Sequence, residues 1–258
     1  MKVVIFAGGL GTRIAEESHL RPKPMIEIGG KPIIWHIMKI YESHGHNEFI
    51  VCCGYKANII KEYFLNYFLY NSDVTVEVQN NKLDVHYTNA ESFKVTLVDT
   101  GIDTKTAGRL QKVRKYLNGD TFMLTYGDGV TDIDINKLIE FHKDHGKLAT
   151  VTAVQPPGRF GNIKTDKMGK VLNFQEKPEG DGLWINGGYF VLEPGIFDFV
   201  PTDADKIMWE EYPLIKLTEE NQLMTYKHPG FWKCMDAMRD KMELEELWET
   251  NHAKWKIW

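Results

Sequence analysis

The sequence is short of several features that would each point to a class of protein. It has only three cysteines, Cys52, Cys53 and Cys234, and the first two are adjacent within an apolar run, where neighbouring strand residues point to opposite faces. We therefore expect reduced core thiols rather than a disulfide framework or a zinc site, which favours Cys-x-x-Cys spacing. No apolar run approaches the ~20 residues that a bilayer span requires, and the chain starts directly in a strand-like segment without a leader pattern. These absences predict a cytoplasmic protein that does not contact membranes.

Positive charge is also in deficit. The chain has 31 Lys and Arg against 36 Asp and Glu, which gives a formal net charge of −5. Nucleic acids and anionic membranes are bound by broad basic surfaces, so we expect neither as a partner. An anionic substrate must then be met by a local cluster of cations.

The most informative pattern lies at the start of the chain. Val3 to Ala7 is a short apolar run typical of a buried strand, and it is followed by Gly8-Gly9-Leu10-Gly11-Thr12-Arg13 and then by Lys23-Pro24. The glycines allow a tight turn that presents backbone N–H groups to an anion, and Arg13 and Lys23 add fixed positive charge. The loop matches neither the dinucleotide-binding pattern nor the P-loop pattern. It favours a triphosphate-binding loop over a plain turn with incidental charges.

Apolar runs alternate with helical patterns through the first 150 residues. Predicted strands and helices follow one another in this way at 3–7, 32–44, 49–53, 58–68, 95–98, 108–116, 121–125, 135–145 and 149–154. The alternation predicts an α/β fold with a mostly parallel, Rossmann-like sheet and helices on both faces. Runs at 74–78 with 83–87, and at 162–165 with 170–174, predict small antiparallel hairpin insertions. Residues 236–249 are expected to form a surface helix.

Ligands of such sheets bind beyond the carboxyl ends of the strands, where Asp128 of Tyr126-Gly127-Asp128-Gly129 is expected. A carboxylate at this position can hold Mg²⁺ together with substrate phosphates, although a turn aspartate is the structural alternative. When a phosphate oxygen attacks the α-phosphorus of a triphosphate, the nucleophile is already an anion and needs no general base. Charge neutralisation and alignment then suffice, and Arg13, Lys23 and Lys177 are cations for that task.

The glycine loop with Lys23-Pro24 resembles the signature loop of the sugar-1-phosphate nucleotidyltransferases, with Ile14 where leucine is usual. Within that superfamily the closer resemblance, along essentially the whole chain, is to the glucose-1-phosphate cytidylyltransferases. It is carried by Glu27-Ile28-Gly29-Gly30-Lys31-Pro32, Cys52-Cys53-Gly54-Tyr55-Lys56, Val98-Asp99-Thr100-Gly101, Tyr126-Gly127-Asp128-Gly129, Pro156-Pro157-Gly158-Arg159-Phe160-Gly161 and Phe231-Trp232. The resemblance implies Mg²⁺-assisted transfer of the cytidylyl group of CTP to α-D-glucose 1-phosphate. The products would be pyrophosphate and CDP-glucose, which serves polysaccharide and dideoxysugar biosynthesis.

The resemblance also implies roles for individual residues. Arg13 and Lys23 would be catalytic, and Asp128 and Asp236 would hold the metal. Nucleotide-binding residues would be Phe6, Ala7, Gly8, Gly9, Leu10, Gly11, Thr12, Arg13, Lys23, Thr104, Arg109 and Asp128. Sugar-phosphate-binding residues would be Gly161, Glu176, Lys177 and Asn186.

Taken without the resemblance, several of these residues have structural interpretations that stay open. Asp236 fits the N-cap of the last helix, Arg109 fits the first turn of a surface helix, and Asn186 fits a turn. Glu176 and Lys177 fit an exposed charged pair. Arg109 would otherwise donate to a cytosine carbonyl.

Two other functions also stay open. The loop grips phosphates that all nucleotides share, so a thymidylyl- or uridylyltransferase is possible, as is a non-catalytic subunit that binds nucleotide sugars. Trp248, Trp255 and Trp258 are expected to be exposed and to mark a surface for homo-oligomer formation. We expect a single domain over 1–258, with a hairpin insertion at about 73–93, a sugar-binding part at about 150–230 and a C-terminal helix and tail at about 236–258.

Overall fold

The computed structural model describes residues 1–156, 162–175 and 183–258. Within these residues the chain forms one seven-stranded sheet and four two-stranded ribbons. The strands are β1 (Val3–Ala7), β2 (Glu27–Ile28), β3 (Lys31–Pro32), β4 (Glu48–Cys53), β5 (Ser72–Glu77), β6 (Lys82–Thr88), β7 (Lys94–Asp99), β8 (Phe122–Tyr126), β9 (Gly129–Thr131), β10 (Ala149–Val154), β11 (Asn162–Thr165), β12 (Val171–Gln175), β13 (Ile185–Leu192), β14 (Leu223–His228) and β15 (Trp232–Cys234).

The helices connect and cover these strands. They are α1 (Ala15–Ser18), α2 (Ile33–Glu42), α3 (Ala57–Tyr70), α4 (Thr106–Val113), α5 (Ile135–His145), α6 (Tyr212–Glu219) and α7 (Met238–Glu249). Helix α5 has the predicted bounds, because Asp134 caps its first turn through the Lys137 N–H and Gly146 ends it at a positive φ of 63°. None of the helices in the described ranges is long and apolar enough to cross a bilayer.

The strand order of the large sheet is β14-β10-β13-β8-β1-β4-β7. Strands β8, β1, β4 and β7 are parallel neighbours, and β10 is parallel to β14. Strand β13 runs antiparallel between β8 and β10. The α/β class, the mostly parallel sheet and the small antiparallel hairpins are thus confirmed. The sequence interpretation missed β13, because Asn186-Gly187-Gly188 at its start has the composition of a turn.

The core lies on both faces of the sheet, as alternation along the buried strands requires. Val3 and Ile5 of β1 pack with α2 and α5 on one face, whereas Val4 and Phe6 pack with α4 on the other. The adjacent thiols follow the same rule, since Cys53 belongs to the first cluster and Cys52 to the second. Both are free and buried, as predicted.

The C-terminal tail packs against the body instead of presenting exposed aromatic rings. Trp255 is fully buried, and the rings of Trp248 and Trp255 lie 4.8 Å and 6.2 Å from the ring of buried His36. Trp258 makes an edge contact with Trp35 at 5.7 Å. The prediction that these tryptophans are exposed was therefore wrong. The positions of the tryptophans in the sequence do not show that the C-terminal tail folds back over α2.

Candidate active site

The candidate site lies at the carboxyl ends of β1, β4, β7 and β8, where parallel strands deliver their following loops to one edge of the sheet. A cavity of about 590 Å³ opens there, within the usual size range of small-molecule sites. Every residue that the resemblance assigns to nucleotide binding lines this cavity. The cavity is also lined by Ile102, Asp103, Lys105, Thr106, Tyr126, Lys206, Met208 and Glu210.

Arg109 holds the glycine loop in place through hydrogen bonds of its guanidinium group. The carbonyl of Gly8 accepts hydrogen bonds from the Tyr55 N–H at 3.1 Å and from the Arg109 guanidinium at 2.9 Å. The guanidinium also donates to the Cys53 carbonyl at 3.3 Å and to the Thr100 hydroxyl at 2.5 Å. A Cβ atom on Gly8 would lie 2.0 Å from the guanidinium nitrogen, so the loop approaches Arg109 this closely only because residue 8 is glycine.

Arg109 is only 4% exposed, which excludes the alternative of an arginine on a solvated helix face. Burial lowers its pKa below the ordinary value for arginine, while the neighbouring cysteines and Asp99 act in the opposite direction. The side chain reaches the cavity wall and is anchored to main-chain carbonyls of the surrounding loops. Contact between Arg109 and a cytosine carbonyl stays a prediction.

Four charged side chains converge at the mouth of the cavity. Lys23 Nζ lies 2.6 Å from Asp128 Oδ2 and 2.5 Å from Asp236 Oδ1, and Arg13 contacts Asp236 Oδ2 at 2.5 Å. The Lys23 side chain is 13% exposed, whereas that of Arg13 is 77% exposed. The two cations, Asp128 and the Asp236 carboxylate that the resemblance assigned to the metal are thus brought together from distant parts of the chain.

A short ribbon between β9 and β15 sets the two aspartates side by side. Gly129 pairs with Cys234, and the Met235 N–H donates to the Asp128 carbonyl at 2.8 Å. The pairing aligns the residue before β9 with the segment after β15, so Asp128 and Asp236 become neighbours. Neither segment predicts this partner from its own sequence.

The expectation that Asp236 is the N-cap of the last helix was wrong. Helix α7 begins at Met238, and Ala237 is its N-cap residue. The Asp240 carboxylate instead accepts the N–H groups of Asp236 and Ala237 at 3.0 Å and 2.9 Å. The side chain of Asp236 is thereby left to face Lys23 and Arg13.

The environment of Lys23 keeps it charged. Burial lowers its pKa, but the charge and hydrogen bond of Asp128, together with those of Asp236, outweigh burial, and the net pKa lies above the ordinary value for lysine. A cation is therefore stabilised at the point between the two carboxylates. This position, with oxygen donors from two carboxylates, suits Mg²⁺, which binds one or two protein carboxylates and completes its shell with phosphates and water.

Lys112 fixes the side chain of Thr104 through a hydrogen bond. Lys112 Nζ donates to the Thr104 hydroxyl at 2.8 Å and to the Thr100 carbonyl at 3.0 Å, and it pairs with Asp205 at 2.9 Å. Thr104 is 7% exposed and lines the cavity, so its hydroxyl is held at the wall. No local sequence pattern marks the roles of Lys112 and Asp205.

Asn186 stands at the start of β13, beside the carboxyl end of β8. Its side-chain amide donates to the Tyr126 hydroxyl at 3.1 Å, and its Oδ1 accepts the Gly188 N–H at 2.8 Å. The Tyr126 hydroxyl in turn donates to Glu210 at 2.6 Å, and Thr106 donates to the other Glu210 oxygen at 2.7 Å. Asn186 is therefore on a strand and not in a turn. Sequence reasoning gave no role to Glu210, because no local pattern marks it.

Three of the residues assigned to the sugar phosphate, Gly161, Glu176 and Lys177, lie outside the described residues. Within the described residues, no group of three or more His, Cys, Asp and Glu side chains is arranged to hold a metal ion. A cation at the mouth of the cavity would therefore depend on two aspartates and on a bound ligand.

Comparisons with known proteins agree with this geometry. The nucleotidyl transferase family model matches residues 2–247. Glucose-1-phosphate cytidylyltransferase from Salmonella typhimurium is 56% identical over 259 residues, covering 100% of both chains. A probable glucose-1-phosphate cytidylyltransferase from Bacillus subtilis is 42% identical over 258 residues, again covering 100% of both. The crystal structure of HddC from Yersinia pseudotuberculosis complexed with GMP-PN aligns with a TM-score of 0.69 and 26% identity, over 96% of this chain and 99% of that one.

These full-length similarities agree with the structure, in which the glycine loop, the charged cluster and the cavity all lie at the same edge of the sheet. The chain belongs to the nucleotidyl transferase family.

Proposed function

We propose that this protein is a glucose-1-phosphate cytidylyltransferase, which transfers the cytidylyl group of CTP to α-D-glucose 1-phosphate and releases pyrophosphate and CDP-glucose. The observation that carries the proposal is the 56% identity over the full length, combined with the joint placement of Arg13, Lys23, Asp128 and Asp236 at the cavity mouth.

The chemistry follows from the charges at the site. The sugar phosphate is an anion near neutral pH, so in-line attack on the α-phosphorus of CTP needs orientation and charge neutralisation more than a general base. Lys23 and Arg13 supply positive charge beside the glycine loop, whose Gly8 carbonyl is anchored by Arg109. Mg²⁺ held by Asp128 and Asp236 would neutralise the phosphates and polarise the α-phosphate.

The same proposal assigns the second substrate to the part of the chain at about 150–230. Asn186 lies beside Tyr126 at the carboxyl end of β8, where a hexose hydroxyl can meet its amide. Gly161, Glu176 and Lys177 complete the sugar-phosphate subsite in this proposal.

We also propose a homo-oligomer, with the hairpin of β5 and β6 at its interface. Val74 pairs with Val85 and Val76 pairs with Leu83, so four apolar side chains share one face of the hairpin. Their exposed fractions range from 37% to 54%. Exposed apolar patches of this kind mark interaction sites more often than isolated apolar residues do.

A cytoplasmic location is part of the same proposal. It is supported by the three free cysteines, which suit a reducing compartment, and by a substrate that is an intracellular nucleotide.

The experiment that tests the proposed reaction is pyrophosphate release from purified protein with glucose 1-phosphate and Mg²⁺, run in parallel with CTP, dTTP, UTP, ATP and GTP. A strong preference for CTP is expected. Release with dTTP or UTP instead would keep the chemistry and refute the cytosine assignment. Binding without release would favour a non-catalytic nucleotide-sugar-binding subunit.

A further inference from the structure

The Lys23 ammonium group contacts both of the carboxylates to which the proposed function assigns the metal. Its ammonium nitrogen is 2.6 Å from Asp128 Oδ2 and 2.5 Å from Asp236 Oδ1. A Mg²⁺ ion that binds the same oxygens at ~2.0–2.1 Å would occupy nearly the same point. The ammonium group and the ion are both cations, and they cannot occupy that point together.

Within the described residues, both carboxylates already have cationic side chains as partners. Asp128 and Asp236 carry two negative charges, and Lys23 and Arg13 supply two positive charges within hydrogen-bonding distance. The Lys23 contact is largely removed from water, since its side chain is 13% exposed, and screening by solvent is correspondingly weak. A free divalent cation must therefore displace a well-bound internal cation before it gains both carboxylates.

The backbone beside Lys23 offers another partner for its ammonium group. A Cβ atom on Gly11 would lie 3.3 Å from the Lys23 Cβ, so Lys23 begins directly against the glycine loop. A triphosphate bound on that loop would present negative oxygens within reach of the lysine side chain. Lys23 can then exchange carboxylate oxygens for phosphate oxygens without moving its backbone.

We propose that Lys23 is the counter-ion of the Asp128–Asp236 pair in the nucleotide-free protein and that it blocks divalent metal binding until a triphosphate draws its ammonium group away. The metal then enters with or after the nucleotide. This inference rests on the metal role that the proposed function gives to the two aspartates. It adds that Lys23 couples the two ligands, so that occupation by one lowers the cost of binding the other.

The test measures binding of Mn²⁺ alone to the full-length protein, from the loss of the free-ion electron paramagnetic resonance signal. The variant Lys23→Met removes the charge and keeps a similar side-chain length. It is expected to bind Mn²⁺ about tenfold or more tightly than the wild type, as it would if Lys23 leaves the carboxylates in about one molecule in ten. Adding Asp128→Asn to Lys23→Met should abolish that binding.

A matched control is Lys206→Met, which removes one positive charge from the wall of the same cavity. Within the described residues Lys206 forms no ion pair with either aspartate, so its removal should leave the Mn²⁺ affinity near the wild-type value. An equal gain in Lys206→Met would attribute the effect to general charge and overturn the proposal. Circular dichroism checks folding, and Lys23→Gln is the second variant should Lys23→Met not fold.

Two further results would overturn the proposal. One is a wild-type Mn²⁺ affinity equal to that of Lys23→Met, and the other is no measurable Mn²⁺ binding by either protein. Failure of the proposed function is detected separately, by the absence of pyrophosphate release from the wild type with every nucleotide. An active wild type with unchanged Mn²⁺ affinity in Lys23→Met would leave the function standing and remove only the counter-ion role.

Discussion

Replacing Gly8 by alanine tests how the glycine loop is held. A Cβ atom at this position would lie 2.0 Å from one Arg109 guanidinium nitrogen and 2.2 Å from its central carbon. The guanidinium cannot yield cheaply, because it is 4% exposed and is hydrogen-bonded to Gly8, Cys53 and Thr100. If it loses two of these bonds, at roughly 1.5 kcal/mol each, the free energy of unfolding should fall by about 3 kcal/mol.

Gly9→Ala is the matched control. An added Cβ on Gly9 meets nothing within 4 Å, and neither Gly8 nor Gly9 has a positive φ that alanine would resist. Urea unfolding monitored by tryptophan fluorescence should therefore show Gly9→Ala within about 0.5 kcal/mol of the wild type. The KM for CTP should rise in Gly8→Ala, since the loop that grips phosphate has shifted.

A double-mutant cycle isolates the cause. If the clash with Arg109 is responsible, Gly8→Ala should cost much less in an Arg109→Ala background, with a coupling energy of about 2 kcal/mol. Equal stability of Gly8→Ala and Gly9→Ala would refute the reasoning. So would a Gly8→Ala cost that is the same with and without Arg109.

Three other perturbations test the metal site, the buried histidine and the hairpin interface. Asp128→Asn should lower kcat about a hundredfold or more while leaving the thermal unfolding midpoint within a few degrees, because a neutral amide is a poor metal ligand; unchanged turnover would remove the metal role. Burial lowers the pKa of His36 to about 4, so the imidazole is neutral in the native state. The free energy of unfolding, measured by urea titration, should therefore fall as the pH drops below ~6.5, by about 2 kcal/mol at pH 5. His36→Asn should flatten this pH dependence, and an equally steep dependence in the variant would show that another group causes it. Val76→Lys combined with Leu83→Lys should reduce the mass measured by light scattering toward that of a monomer, whereas an unchanged mass would exclude the hairpin from the interface.

The sequence carried the parts of the fold that depend on local pattern. Strand β1 and helix α5 were predicted with their observed bounds, since a continuous apolar run and an Asp134 cap with a terminal Gly146 are visible in the chain itself. The prediction failed for β13, whose first residues are polar or glycine and whose strand form depends on pairing with β8 and β10. Tertiary pairing of that kind has no local signature.

The residues of the candidate site also divide into those that a local pattern predicts and those that depend on long-range contacts. The glycine loop, Lys23 and Asp128 were found from residue type and position at strand ends, and these residues do line the cavity. Asp236 was assigned through resemblance alone, because its neighbourhood depends on the long-range pairing of β9 and β15. Lys112 and Glu210 were missed, since each acts by fixing another side chain and leaves no motif. The buried tail was missed because the aromatic surface of α2 that receives Trp255 lies far away in sequence.

Attack on the α-phosphorus of CTP can be followed directly in a phosphorus NMR time course of the wild type with CTP, glucose 1-phosphate and Mg²⁺. We predict that the three CTP resonances and the sugar-phosphate resonance decline together, with equal appearance of pyrophosphate and of the coupled diphosphate pair of CDP-glucose. Release of orthophosphate with formation of CDP, or CTP signals that stay unchanged, would contradict attack on the α-phosphorus and with it the proposed function.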